Sequence, residues 1–179
     1  MKMLVVVDMQ NDFIDDALGN DNAAAIVPKV AAKIRDYCDE NPDVPVLVTM
    51  DTHDDETYMD SNEGKHLPTL HCVSGRRGWN LNADVKASLD CGRTYYFYKM
   101  KFASIDLAKH LADLKLTQED TVEIVGLCTD ICVVSNALLI KAYCPEANIV
   151  VDSACCAGST PARHEAALET MRSCQIDVV

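Results

Sequence analysis

Five ionisable or nucleophilic residues in this chain stand directly behind apolar runs. Asp8 follows Met3 to Val7, Asp51 and His53 follow Pro45 to Met50, Lys99 follows Thr94 to Tyr98, and Cys132 lies just beyond Thr121 to Val125. Cys132 sits in the stretch Gly126-Leu127-Cys128-Thr129-Asp130-Ile131-Cys132-Val133, where a β-rich run gives way to a helical pattern. A cysteine in the first turn of a helix faces unpaired N–H groups and the positive end of the helix dipole, which favour a thiolate. Most free cysteines, by contrast, are small buried apolar residues. Lys99 offers a positive charge that would favour the thiolate, and Asp8 a carboxylate that would take the thiol proton and return it to a leaving amine. The N–H groups of Cys128 and Cys132, after the turn at Gly126, would serve a developing oxyanion.

A second group lies in the polar, irregular segment from Asp51 to Gly78, which carries Asp51, His53, Glu63, His66 and His71. Segments of that length inside a domain are usually functional or disordered. Asp51 and His53 with His71 and one more oxygen or nitrogen donor would hold a divalent ion of borderline softness, namely zinc, iron or manganese. A solvated loop with incidental histidines is the other reading of the same residues. Cys128 and Cys132 are four apart, not the spacing of redox or zinc pairs, and no second cysteine pair follows.

The elements that must position these groups are legible in the order of the chain. Met3 to Val7, Pro45 to Met50, Thr94 to Tyr98, Thr121 to Val125 and Ala147 to Val151 are short runs of β-branched or aromatic residues and predict buried strands, with Gln175 to Val178 a sixth. Helical spacing fills Ala23 to Tyr37, Leu81 to Leu89, Ser104 to Leu114, Asp130 to Tyr143 and Pro161 to Ser173, the last opening on Ser159-Thr160-Pro161 as cap and first turn. Alternating strands and helices predict an α/β fold with a parallel sheet covered on both faces. Active sites of such folds lie at the carboxyl ends of the strands, where Asp8, Asp51, His53, Lys99 and Cys132 all fall.

Composition narrows the partners. The 179 residues predict a single domain over 1–179, large enough to bury about 70% of its unfolded surface without disulfides. Nine cysteines, an odd number with Cys155 and Cys156 adjacent, therefore suggest a reduced, cytoplasmic setting. No leader pattern or long apolar run is present, so a soluble protein is expected. With 28 acidic against 16 basic residues, a net charge of −12 disfavours nucleic acid and anionic lipid and leaves small molecules or protein partners.

The segment Val7-Asp8-Met9-Gln10-Asn11-Asp12-Phe13, Asp51-Thr52-His53, Glu63 to Pro68 leading to His71-Cys72, Lys99 in Lys-Met-Lys-Phe-Ala-Ser, and Gly126 to Val133 together resemble the isochorismatase-like cysteine hydrolases, most closely their nicotinamidases. The resemblance runs in order from residue 3 to about 176. It implies a three-layer αβα sandwich with a six-stranded sheet of order 3-2-1-4-5-6, commonly assembled as a homo-oligomer. It also implies a triad of Asp8, Lys99 and Cys132, a cis peptide between Leu127 and Cys128 that shapes an oxyanion hole, and Phe13 beside the substrate ring. Asp51, His53 and His71 match metal ligands, with Glu63 or His66 as the fourth. The implied reaction converts nicotinamide, and by likeness pyrazinamide, to the acid and ammonia through a cysteine thioester, the metal holding the pyridine nitrogen. Two departures stand out: Cys128 replaces a common alanine, and Leu67-Pro68-Thr69-Leu70 lacks the tryptophan often found before the last metal histidine, while Trp79 is expected to serve packing. Competing readings are a metal-independent ureido- or carbamoyl-group hydrolase of the same fold and a non-catalytic metal- or partner-binding member.

Overall fold

The computed structural model describes all 179 residues. Its strands are β1 (Lys2–Val7), β2 (Val46–Asp51), β3 (Thr94–Lys99), β4 (Thr121–Leu127), β5 (Asn148–Ala157) and β6 (Asp177–Val178). They form one six-stranded sheet in the order β3-β2-β1-β4-β5-β6, and every pairing is parallel. The helices are α1 (Asn11–Ile14), α2 (Asp21–Glu40), α3 (Asn62–His66), α4 (Ala83–Ser88), α5 (Ile105–Asp113), α6 (Val134–Tyr143) and α7 (Pro161–Ser173).

Strand β1 shows why the sheet is covered on both faces. Its side chains alternate, so Leu4 and Val6 enter one core with Ile26, Val30 and Ile34 of α2, while Met3, Val5 and Val7 enter another with Leu107 of α5, Ile140 of α6 and Met171 of α7. Both faces being apolar, the run reads as continuous Val and Leu with no alternation. Burying such side chains is worth about 1.5–3 kcal/mol each, which anchors the central strands whose carboxyl ends carry the chemistry.

Gly126 is dictated by the approach of β4 to β1. Its φ of +120° lies in the left-handed half of the map, and an added Cβ would sit 2.1 Å from the Val7 carbonyl oxygen. Only glycine meets both conditions. The Leu127–Cys128 peptide that follows is cis, in agreement with the resemblance.

Four features differ from the sequence expectation. Strand β3, read as buried, is a sheet edge paired with β2 alone, and Tyr95, Tyr96 and Tyr98 are exposed. Strand β5 runs to Ala157, six residues past Val151: its ladder with β4 slips after Ile124–Val151 and resumes at Gly126–Cys156 and Leu127–Ala157, and in between the Ser153 N–H donates to the Val179 carbonyl at 2.8 Å. The helix after β4 does not begin at Asp130: Thr129–Val133 form one wide turn, with both Ile131 and Val133 donating to the Cys128 carbonyl at 3.0 Å, before α6 starts at Val134. Finally, the expectation of unpaired cysteines is corrected for one pair. Cys38 at the end of α2 and Cys91 before β3 are bonded, with Cα atoms 6.0 Å apart and 53 residues between them in sequence, a proximity that spacing cannot reveal. The other seven are free. No helix is long and apolar enough to cross a membrane.

Candidate active site

Asp8, Lys99 and Cys132 meet at the carboxyl edge of the sheet. Strand order places β1 between β2 and β4, so the residue ending β1 stands between the β2 ligand group and the β4 turn. Asp8 is fully buried and takes a left-handed backbone conformation, φ 47°, a strained choice for a residue with a Cβ. Its Oδ1 accepts the Thr49 hydroxyl at 2.7 Å and its Oδ2 lies 2.6 Å from Lys99 Nζ. Lys99 Nζ also reaches Asp51 Oδ1 at 3.3 Å and Cys132 Sγ at 3.5 Å. One ammonium thus touches the Asp8 carboxylate, the thiol and a carboxylate of the second group.

Burial dominates the electrostatics here. It pushes Asp8 above the usual carboxylate value against the pull of Lys99, with Asp51 adding to the rise. Burial alone would deprotonate Lys99, but Asp8, Cys132 and Asp51 hold it charged well beyond an ordinary lysine. The Cys132 thiol is pushed up by burial, opposed by Lys99 and reinforced by Asp8 and Asp51. The helix start and Lys99 favour a thiolate at Cys132, while desolvation and the two nearby carboxylates oppose it.

The second group forms beside the first. Asp51 Oδ2 lies 2.9 Å from His53 Nε2 and 3.4 Å from His71 Nε2, and Glu63 Oε1 lies 3.8 Å from each of those nitrogens. All four donor atoms fall within 4.8 Å of one another. Ligands about 2.1 Å from a tetrahedral ion would stand roughly 3.4 Å apart, so two imidazoles and two carboxylates at these separations fit a zinc-like ion. Asp51 is held below the ordinary carboxylate range: burial opposes this, but His53, His71 and Lys99 prevail. His71 is raised despite burial, through Asp51 and the Thr69 carbonyl that its Nδ1 faces at 2.8 Å. His66 stays outside the cluster, exposed, its Nδ1 2.8 Å from the Asn62 carbonyl. Of the two candidates for the fourth position, the structure brings in Glu63.

A cavity of about 920 Å³ opens beside these groups, with His53, Tyr58, Glu63, Leu67, Phe102 and Ile131 among its walls. Phe13 is buried with its ring edge-on to His71 at 5.5 Å, and Trp79 stacks on Tyr98 and donates to Thr52 at 2.9 Å, a packing role as expected.

Several supporting residues escaped the sequence argument. Tyr58 packs edge-on against His53 and His71 at 4.8 and 5.3 Å and donates to the Leu67 carbonyl at 2.8 Å, which fixes both imidazoles. Gln10 accepts from Asp51 N–H and donates to its carbonyl, both at 2.8 Å. Asp12 accepts the Cys72 N–H at 2.6 Å, and Asn136 donates to the Cys132 carbonyl at 2.8 Å while accepting from Ser104 N–H at 3.0 Å. Gln10 and Asp12 lie inside the Val7 to Phe13 motif, and Thr49 is the one hydroxyl in an otherwise apolar strand; those were the available signals. Tyr58 and Asn136 carried none.

A doubly wound parallel sheet with a thiol, an ammonium and a carboxylate joined at its carboxyl edge defines a cysteine hydrolase of the three-layer α/β class. Comparison with known proteins sharpens this. The Isochorismatase domain model matches residues 2–179, and the chain belongs to that family. It is 30% identical over 192 residues to the nicotinamidase/pyrazinamidase of Mycobacterium tuberculosis, covering 100% of this chain and 98% of the relative. The crystal structure of the pyrazinamidase of Pyrococcus horikoshii in complex with zinc superposes with a TM-score of 0.78 at 27% identity, covering 99% of this chain and 98% of that one. The nicotinamidase of Bacillus subtilis shares the fold with a TM-score of 0.81 at 24% identity, covering 99% and 98%. The protein is an enzyme of the cysteine amidohydrolase kind.

Proposed function

We propose that this chain hydrolyses the carboxamide of nicotinamide to nicotinate and ammonia, and accepts pyrazinamide likewise. The observation that carries the reading is the convergence of Asp51, His53, Glu63 and His71 on one another, with Asp51 reaching the same lysine that touches Asp8 and Cys132. A hydrolase of simple ureido compounds would need the triad but not this donor set. The full-length likeness to a nicotinamidase/pyrazinamidase supports the same substrate class.

The Asp8 carboxylate takes the Cys132 proton, and the sulfur attacks the amide carbon. The N–H groups of Cys128 and Cys132 receive the developing oxyanion, and Lys99 keeps its charge beside sulfur and carboxylate throughout. Protonated Asp8 then gives its proton to the departing nitrogen, ammonia leaves, and a thioester on Cys132 remains. Water, deprotonated by Asp8, attacks the thioester carbon; nicotinate leaves and the thiol is restored. The ion that Asp51, His53, Glu63 and His71 would hold, zinc by the donor set with iron or manganese as alternatives, supplies a Lewis-acid anchor for the pyridine nitrogen. Phe13 would limit the ring on the His71 side. Exposed Tyr95, Tyr96 and Tyr98 on edge strand β3 support a homo-oligomer, which light scattering tests directly.

The test is ammonia release from nicotinamide, pyrazinamide and an N-carbamoyl amine, with and without chelator. The reading requires turnover of the two pyridine-type amides, lost on chelation and restored by added zinc. Turnover of the carbamoyl compound alone, indifferent to chelator, would replace it with the metal-independent hydrolase.

A further inference from the structure

The turn that presents Cys132 is held from outside its own helix. Thr129–Val133 has no side-chain cap, and its two leading polar residues both reach across to the start of α7. Thr129, fully buried, places its Oγ1 2.8 Å from His164 Nδ1. The Asp130 carboxylate accepts the Ser159 N–H at 2.7 Å on one oxygen and the Ser159 hydroxyl at 2.6 Å on the other. Arg163 donates to the same hydroxyl at 3.3 Å. Gly158 lets the two segments close: an added Cβ would lie 2.9 Å from both Asp130 Oδ1 and His164 Cβ.

A threonine and an aspartate at a helix start ordinarily turn inward to cap their own N–H groups. Here both are spent on the β5–α7 junction, so the wide turn takes its shape from α7. Inside the helix Asn136 ties the Cys132 carbonyl to the segment after β3. The thiol is thus braced toward Lys99 on one side and anchored to α7 on the other.

We infer that His164 is a positioning residue for the nucleophile: through Thr129 it fixes the turn that sets Cys132 Sγ against Lys99 and Asp8. This rests on Cys132 being the nucleophile, as proposed above. A sulfur displaced by even a fraction of an ångström leaves the attack geometry, and misplacement near 1 Å costs about a hundredfold in rate. Substrate contacts, by contrast, are untouched by His164.

The experiment is a double-mutant cycle with His164→Leu and Thr129→Val, each removing one end of the same hydrogen bond, and His164→Asn, whose amide can replace the imidazole nitrogen. Ammonia release from nicotinamide and iodoacetamide alkylation of Cys132, read by peptide mass, are both measured. The expected result is a kcat about 10- to 100-fold lower in each single variant with KM unchanged, the double variant no worse than either, Asn restoring most of kcat, and alkylation slowed in parallel. Wild-type kcat in His164→Leu, additive losses in the double variant, or failure of Asn to restore would overturn the inference. Cys132→Ala run alongside separates the two levels: if it retains activity the nucleophile assignment fails, and if it is inactive while His164→Leu is unimpaired only the positioning role fails.

Discussion

Replacing Thr49 by valine removes one hydroxyl and keeps the shape of a side chain that is fully buried in β2. That hydroxyl donates to Asp8 Oδ1 at 2.7 Å. Hydrogen bonds to charged groups contribute about 1.5–3 kcal/mol. Because the bond favours the ionised carboxylate, its loss raises the Asp8 pKa, and at 1.36 kcal/mol per unit the rise is about one to two units. The acid limb of kcat/KM reports this group in the free enzyme. In the parent enzyme burial already places that limb above the ordinary aspartate value of about 3.9; in Thr49→Val it moves further toward neutrality. Stability follows the same sign. A carboxylate whose folded pKa exceeds its unfolded one is stabilising only while protonated, so stability is lost as pH rises through the folded value. The gap in unfolding free energy between parent and variant therefore opens above the parent's limb and narrows below it. Ammonia-release rates between pH 4 and 9, with urea titrations at the two ends, measure both. An acid limb that stays in place, or moves to lower pH, would refute the assignment of Asp8 as the proton acceptor.

Three further outcomes are expected. His71→Ala removes one of the four converging donors and should weaken zinc binding at least 10- to 100-fold by competition with a chromophoric chelator, whereas His66→Ala should leave it unchanged. Alkylation of the unfolded protein should modify seven cysteines without reductant and nine with it, and peptide mapping should place the difference on Cys38 and Cys91. Gly126→Ala should fail to accumulate as folded protein, because the added methyl meets the Val7 backbone in a conformation that alanine rarely adopts; a cooperative unfolding transition like the parent's would contradict this.

The fold was legible because its central strands are buried on both faces. Met3 to Val7 and Thr121 to Val125 contain almost nothing that another element would use, and the residues behind them are ionisable, so both strand and edge announce themselves. The strand order came from the family resemblance; alternation alone leaves several orders open. What escaped was structure made by distant partners. Asp152 to Cys156 look like a loop until β4 lies beside them. Thr129 and Asp130 look like a helix start until His164 and Ser159 claim their side chains. At Cys132 a sequence shows a helix start but not how little water reaches the sulfur. Tyr58 sits in an irregular polar segment, where no pattern separates a tyrosine wedged between two imidazoles from one in solvent.

The proposed mechanism stands on Cys132 forming the acyl bond. Rapid acid quenching of the enzyme with excess nicotinamide, followed by peptide mass analysis, should find a nicotinoyl group on the Cys132 peptide alone, and Cys132→Ala should show neither that adduct nor ammonia release while unfolding at the parent's temperature. An acyl group on another cysteine, or ammonia release at the parent's rate from Cys132→Ala, would contradict it.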